Sequence, residues 1–305
     1  MIEVFPFADG VDEQLGLDVS NAVWPHDRIG IDEARSYRGS FREHVDLLAR
    51  IDGQVAGSAI GAIQAERPEL ALALVTVLPE RRRRGAGAAL YEAVAAWARA
   101  RGLDTIETVV ADDDPESLAF AQRRGFAEDR REKGVSLDLT RVESPTVGPP
   151  EGIEIVTWAE RPELARGMYE VVLEAAPDIP GGEDELVEPF EDWLAHDMQA
   201  GPGDRPDATF VAVAGDEVIG FAKFSLSPTA QPTTAHHDLT GVKRAWRGRG
   251  VARALKATQI VWAKANGYEE LRTRNEERNA PIRHLNEEFG YLPTVGRIYM
   301  KGPLA

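Results

Sequence analysis

Cysteine is absent from all 305 residues, which excludes disulfides, thiolate metal sites and a cysteine nucleophile. Long apolar runs are missing too. No window approaches the roughly 20 apolar residues that a membrane-spanning helix needs. The opening residues Met1, Ile2, Glu3 and Val4 hold no basic segment followed by an apolar run, so no signal peptide is expected and the expected location is the cytoplasm. Positive charge is the minority sign, with 35 Lys and Arg against 51 Asp and Glu and a net charge of −16. This argues against general nucleic-acid binding, which needs a basic face. No His/Glu spacing suggests a metal site, and no Gly-x-Ser-x-Gly motif suggests a serine nucleophile. The acidity suits attraction of a cationic amine and equally suits simple solubility.

What is present is an ordinary globular composition, 43% hydrophobic and 28% charged, in a chain long enough for two domains with separate cores. The chain also repeats itself. Arg82, Arg83, Arg84, Gly85, Ala86 and Gly87 return 165 positions later as Arg247, Gly248, Arg249, Gly250, Val251 and Ala252. The register continues without a gap: Val77 with Val242, Leu90 with Leu255, Trp97 with Trp262, Gly102 with Gly267, Thr108 with Thr273 and Gly125 with Gly290. A period of this size means a duplicated domain, not a solenoid. Each copy reads as strand, arginine–glycine loop, long helix ending in Gly, strand, short helix, then Gly-Phe or Gly-Tyr.

The loop itself carries chemistry. Its glycines and small residues let backbone approach a ligand without a Cβ in the way. It opens a helix, so unpaired N–H groups and the positive end of the dipole favour a phosphate. Arginine adds fixed charge in a fork suited to phosphate oxygens. The plain alternative, a tight strand–helix turn with solvated arginines, is weakened by the repetition.

Read in order, residues 2–7 form a strand and residues 11–46 one or two helices broken at Pro25. Residues 47–51 and 55–63 form a hairpin about Asp52-Gly53. Residues 70–78 are a central strand, 87–101 a helix, 105–111 a strand, 115–124 a helix capped by Asp114, and 126–139 a final hairpin. Residues 141–152, with Pro145, Pro149, Pro150 and two glycines, read as a linker. The second copy follows: a strand at 153–158, helices at 161–176 and 184–200 around a Pro180-Gly181-Gly182 turn, a hairpin at 209–226, a strand at 235–243, a helix at 251–267, a strand at 271–275, a helix at 280–289 and a closing segment at 291–301. The expected organisation is α/β, or layered α+β, with domains at 1–140 and 153–305 and a mixed sheet flanked by helices in each.

The pattern Arg-x-x-Gly-x-Gly/Ala after a Val-bearing strand, followed by helix, strand and a helix closing on Gly-aromatic, resembles the GNAT N-acetyltransferases. Two fused copies resemble the tandem GNAT group that includes mycothiol synthase. The resemblance implies acetyl-CoA as cosubstrate and a small-molecule amine as acceptor, with no nucleic acid, no membrane and a monomer or homodimer. It implies that two neighbouring central strands splay apart to admit the pantetheine arm, and that the loop amides of 82–87 and 247–252 hold the pyrophosphate. Val77, Gly241 and Val242 would face the arm, and Asn275 and Asn279 would hydrogen-bond it, although Asn279 at a helix start also suits a plain cap. The first copy has Val110 and Asp114 at those two positions. That loss makes the second domain the expected catalytic one and the first a degenerate partner.

Many members of the family place a tyrosine four residues before the Gly-aromatic pair to protonate the leaving thiolate. Here Asn286 and Ala121 stand there, and neither supplies a proton, so Tyr299 on the last strand or a water is the expected substitute. For the base, His237 and Asp238 lie on the strand leading to the acetyl site. Adjacent strand positions face opposite ways, so only one of them reaches the acceptor. The loss of the tyrosine also fits a second reading, a non-catalytic acyl-CoA-binding module.

Overall fold

In a computed structural model the first half of the chain runs β1 (Ile2–Pro6), α1 (Gly10–Val23), α2 (Ile31–Gly39), β2 (Glu43–Ile51), β3 (Gln54–Ile63), β4 (Ala71–Val77), α3 (Ala86–Arg99), β5 (Thr105–Ala111), α4 (Pro115–Gln122) and β6 (Ala127–Asp138). The second half runs β7 (Glu154–Thr157), α5 (Ala165–Ala175), α6 (Phe190–Trp193), β8 (Thr209–Ala214), β9 (Glu217–Leu226), β10 (Thr234–Val242), α7 (Val251–Ala265), β11 (Glu270–Glu276), α8 (Ala280–Glu288) and β12 (Leu292–Pro303). The structure describes residues 1–65, 67–180, 187–199, 201 and 203–304. The expected Gly181-Gly182 turn and the start of the expected 184–200 helix lie outside these; the described remainder holds α6 and one π-type turn over Leu194–Met198. No helix among the described residues is long and apolar enough to cross a membrane.

Local sequence accounts for most elements. Asp9 caps α1 by accepting from the Val11 and Asp12 amides, and Asp114 caps α4 ahead of Pro115 by accepting from Ser117, both common N-terminal solutions. In α3 the residues Leu90, Tyr91, Val94, Ala95 and Ala98 are buried, the stripe that a 3.6-residue period places on one face. Asp52 and Gly53 turn the β2–β3 hairpin with positive φ values of 52° and 79°, as a two-residue turn of this type requires.

The chain forms two compact units, and their borders differ from the expected 1–140 and 153–305. One unit is Met1–Arg131 together with Arg297–Ala305, and the other is Glu132–Gly296. The difference comes from the last strand of each half. The expected hairpin at 126–139 is instead the single strand β6, whose residues 132–138 pair antiparallel with β11. Residues 297–303 of β12 pair antiparallel with β5. Each half thus closes the sheet that the other half begins. In the first unit the strand order is β1-β2-β3-β4-β5-β12, and in the second it is β6-β11-β10-β9-β8-β7. The expected linker belongs to the second unit, with Val142 and Ile153 packed against its core.

The first core sets α3 against the sheet through Leu90, Val94 and Ala98 with Ile106, Ile298 and Met300. In the second, Leu255, Ile260 and Ala263 of α7 meet Phe224, Leu271 and Leu137, while Met168 and Val171 of α5 cover the sheet with Phe221 and Val211. Mixed sheets between helices are the expected architecture.

Gly134 on β6 reports on this strand exchange. A Cβ there would lie 2.1 Å from the Val295 carbonyl oxygen and 2.8 Å from its carbon, backbone atoms that cannot give way. Gly134→Ala is therefore expected to destabilise the second unit by about 3 kcal/mol. Urea denaturation followed by tryptophan fluorescence checks this, and an unchanged midpoint would contradict so close an approach of the two backbones.

Candidate active site

Both units interrupt a parallel strand pair at the same place. β4 and β5 pair at Ala71↔Ile106 and Leu72↔Glu107 and then part. β10 and β11 pair at Thr234↔Glu270, Ala235↔Leu271 and His236↔Arg272 and then part. The gap opens toward the arginine–glycine loops, which lead into α3 and α7. Gly85 and Gly250 stand at the N-caps of these helices with φ of 95° and 87°, and neither helix has a side-chain cap. The first-turn amides therefore point outward, as anion binding at a helix start requires. Two positions upstream, Gly248 has φ 72° and its counterpart Arg83 has φ 60°. The same left-handed turn is thus made without strain in one copy and against the preference of a side chain in the other.

The loop arginines do less for a phosphate than their sequence suggests. Arg247 Nε donates to the Val242 carbonyl at 2.9 Å and Arg82 Nε to the Val77 carbonyl at 3.4 Å, one bond in both copies. Arg247 and Arg244 also hold Asp178 at 2.6 and 2.7 Å. Those two guanidinium groups keep the Asp178 carboxyl far below its usual range. Arg82 meets Asp114 at 3.1 Å, Arg84 meets Asp52 at 3.0 Å, and Arg249 lies over the Trp246 ring. These side chains brace the loop, and the helix starts at Ala86 and Val251 keep their first-turn amides without a side-chain cap. Arg83 lines the cleft of the first unit.

That cleft has a volume of about 310 Å³ and extends from Arg82–Arg83 and Gly85–Gly87 past Val75, Val77, Thr108 and Val110 to Trp24. The groove between the parted strands, its apolar walls and its amide-lined mouth fit a pantetheine arm with a pyrophosphate at the entrance. The first half keeps this form although its positions matching Asn275 and Asn279 are Val110 and Asp114.

In the second unit the equivalent walls are polar. Asn275 Oδ1 accepts from Asn286 Nδ2 at 2.7 Å. Asn286 is 1% exposed, and its own Oδ1 lacks a hydrogen bond among the described residues. Asn279 occupies the N-cap of α8 without making a side-chain capping bond, so the plain capping role is not in place. Gly241 and Val242 lie at the loop end of β10, paired with Phe221 and Gly220 of β9. Between His237 and Thr240 the pairing with β9 slips, a bulge that re-aims the residues around it.

His237 and Asp238 do face opposite ways. His237 points toward α7, where Nδ1 lies 2.9 Å from Gln259 Oε1 and Nε2 lies 2.6 Å from the Tyr291 hydroxyl. Burial pushes the His237 imidazole well below its usual range, helped by Lys256, and burial pushes the Tyr291 phenol up. The ring is therefore neutral and the phenol protonated, so Tyr291 donates to Nε2 and Nδ1–H donates to Gln259. Neither nitrogen is left for an acceptor amine, which corrects the expectation that His237 is the base. Asp238 points to the other face and meets Lys223 at 2.8 Å. Burial works against the Lys223 ammonium, but Asp238 and Asp204 hold it charged.

Tyr299 is also corrected. It pairs with Val109 on β5 of the first unit, beneath the Arg130 guanidinium at 3.8 Å. It is therefore not on the strands that form the second unit's gap.

Sequence reasoning missed Lys256 and Gln259. Both lie in the buried stripe of α7, 1% and 0% exposed, and two polar residues on the apolar face of a helix were the available signal. Lys256 Nζ stands 4.8 Å over the Tyr291 ring, and burial pulls its ammonium down from 10.5 to about 7. A lowered folded value means that burial opposes folding most below about pH 7, where the folded state must still charge the amine. The opposition fades as pH rises toward the unfolded value of 10.5. Lys256→Met is expected to stabilise the protein at pH 7 by several kcal/mol, since each pH unit separating the folded and unfolded values corresponds to about 1.4 kcal/mol. The difference should shrink steadily to near zero by pH 10.5. Parallel denaturant titrations of both proteins across this range check it, and a difference that does not change with pH would contradict a charged buried amine.

Parted parallel strands beneath an amide-lined loop, present twice, define a class of proteins that hold an acyl thioester carried on a phosphorylated arm. The chain belongs to the acetyltransferase (GNAT) family, whose pattern matches residues 17–126 and 167–291. It is an acyltransferase, with acetyl-CoA as the family's cosubstrate. It is similar to the L-2,4-diaminobutyric acid acetyltransferase of Nocardia farcinica, 33% identical over 26% of this chain and 44% of that one. It is also similar to the mycothiol acetyltransferase of Catenulispora acidiphila, 27% identical over 71% of this chain and 68% of that one. The tandem GNAT protein from the clavulanic acid biosynthesis pathway shares the fold with a TM-score of 0.79 at 21% identity, covering 100% of this chain and 99% of that one.

Proposed function

We propose that the protein transfers an acetyl group from acetyl-CoA to the primary amine of a small molecule, that the second unit carries the transfer, and that the first unit holds acyl-CoA. The single observation behind this is the arginine–glycine loop set over parted parallel strands, made twice. Acetyl-CoA supplies an acyl group on a thiolate leaving group. The chain's amides at 250–252 anchor the pyrophosphate, Asn275 and Asn279 hold the arm, and the bulge after His237 turns backbone toward the thioester. Asp238, on the face away from α7 and 45% exposed at its side chain, takes the proton of the attacking amine directly or through a water. His237 is a positioning residue that fixes the bulge from behind through Gln259 and Tyr291. Water protonates the thiolate, since Asn286 has no proton to give.

The relatives support a small amine as acceptor: one is named for diaminobutyric acid and the other for mycothiol. The reading of the chain as a binding module without turnover rests on the missing tyrosines alone.

Tryptophan at Gly250 or Gly85 should block close approach of a pyrophosphate, because both glycines have positive φ and lie at the mouth. Gly250→Trp is expected to abolish amine-stimulated release of CoA, while Gly85→Trp leaves it and removes one of two calorimetric acetyl-CoA sites. Turnover lost only with Gly85→Trp would move the reaction to the first unit. Separately, Asp238→Asn is expected to lower kcat about 100-fold with little change in acetyl-CoA affinity. An unchanged kcat would remove Asp238 from the proton path.

A further inference from the structure

The bottoms of the two gaps differ. In the first unit the residues there are Tyr91, Val94 and Phe126, which are 4%, 0% and 6% exposed. By the repeat register the second unit has Lys256, Gln259 and Tyr291 in their places, with His237 bonded to Gln259 and Tyr291. His237 is the first residue beyond the last paired position of β10 with β11, so this set marks where the strands part. Lys256 lies six residues into α7 from Gly250, about 9 Å along the axis at 1.5 Å per residue. An arm anchored at the loop therefore brings its acyl end, not its phosphate end, toward this group.

The hydrogen bonds leave a defined remainder. Tyr291 donates to His237, and His237 donates to Gln259 Oε1. The Gln259 amide nitrogen is then a buried donor with no partner among the described residues. Lys256 is 1% exposed and rests against the Tyr291 ring, and no carboxylate forms an ion pair with it among the described residues. Residues three apart on a helix share a face, so these two donors stand together. A buried donor without an acceptor is costly, and a site that keeps one beside a buried amine is built for an oxygen function that arrives from outside.

We infer that the second unit's gap accepts an acyl-CoA whose acyl chain ends in a carboxylate, with Lys256 and Gln259 receiving that carboxylate. This rests on the proposal that the second gap holds an acyl-CoA arm. The transfer is otherwise unchanged. The amine nitrogen forms a bond to the thioester carbon, the carbon–sulfur bond breaks, the amine's proton leaves through Asp238 and the thiolate gains one from water. The distal carboxylate takes no part in bond making. The first unit has Tyr91 and Val94 where the second has Lys256 and Gln259, so the two halves are matched to different acyl groups.

Calorimetric titration of Gly85→Trp protein, in which the first cleft is blocked, with succinyl-CoA and with butyryl-CoA decides this. The two ligands have acyl chains of equal length and differ in the carboxylate. Succinyl-CoA is expected to bind at least about tenfold more tightly, the scale of a hydrogen-bonded charge. Adding Lys256→Met should abolish the preference while leaving butyryl-CoA binding intact. Gln259→Leu, which replaces an amide by an apolar group of similar size, should reduce the preference in the same direction. Equal affinity for the two ligands in the Gly85→Trp protein overturns the inference and leaves the proposed function standing. Binding of neither ligand there, with both still bound by Gly250→Trp protein, overturns the inference together with the reading on which it rests.

Discussion

Everything in each unit follows from two parallel strands that pair for two or three residues and then separate. A parallel pair normally buries its backbone groups in the ladder. Parting them leaves N–H and C=O groups facing a gap, and an unpaired buried backbone group is expensive. Such a fold is tolerable only if something else fills the gap, and an extended arm rich in amides can pair with those groups as a strand would. The loop above the gap completes the arrangement. Glycine at the N-cap, at φ of 95° and 87°, gives up a side-chain cap and leaves the first turn of the helix open to an anion.

Duplication separates what the turn needs from what the ligand needs. The bond from the first loop arginine to the carbonyl at the end of the preceding strand occurs twice, Arg82 to Val77 and Arg247 to Val242. It belongs to the geometry of the turn and not to the ligand. The polar residues are what distinguish the halves. Ala121 and Asn286, and Val94 and Gln259, occupy matching places, and in each pair the second half has the group that can hydrogen-bond. A cleft lined by Val75, Val77 and Val110 suits holding an arm. The second unit instead buries two amides, an imidazole and an amine, Asn286, Gln259, His237 and Lys256.

The fold was largely legible because its signals are local. Arginine–glycine loops, alanine-rich helices with one apolar stripe, and Asp52-Gly53 at a hairpin depend on residues close in sequence. The exchange of terminal strands was not legible. Residues 126–139 read as a hairpin, yet they hold one strand, and Gly134 within it is a residue whose missing side chain admits the Val295 backbone. That cause lies about 160 residues away. The same long-range event moved Tyr299 out of the second site, since its strand pairs with β5. The loop glycines stand where the repeat put them, but the arginines' partners, Asp178 and Asp114, come from segments whose approach no local pattern announces.

His237 shows why residue type and strand position do not fix a catalytic role. An ordinary imidazole pKa near neutrality makes histidine an attractive base, and alternation along β10 correctly separates it from Asp238. Alternation does not say which face is the wet one. The face that His237 shares with α7 is dry, and there desolvation makes the neutral ring the stable form. Once neutral, the ring must place one N–H and one lone pair, and Gln259 and Tyr291 use both. A base with both nitrogens committed can transmit position but not accept a proton from solvent. Asp238, on the opposite face past the bulge, stands half in water against Lys223.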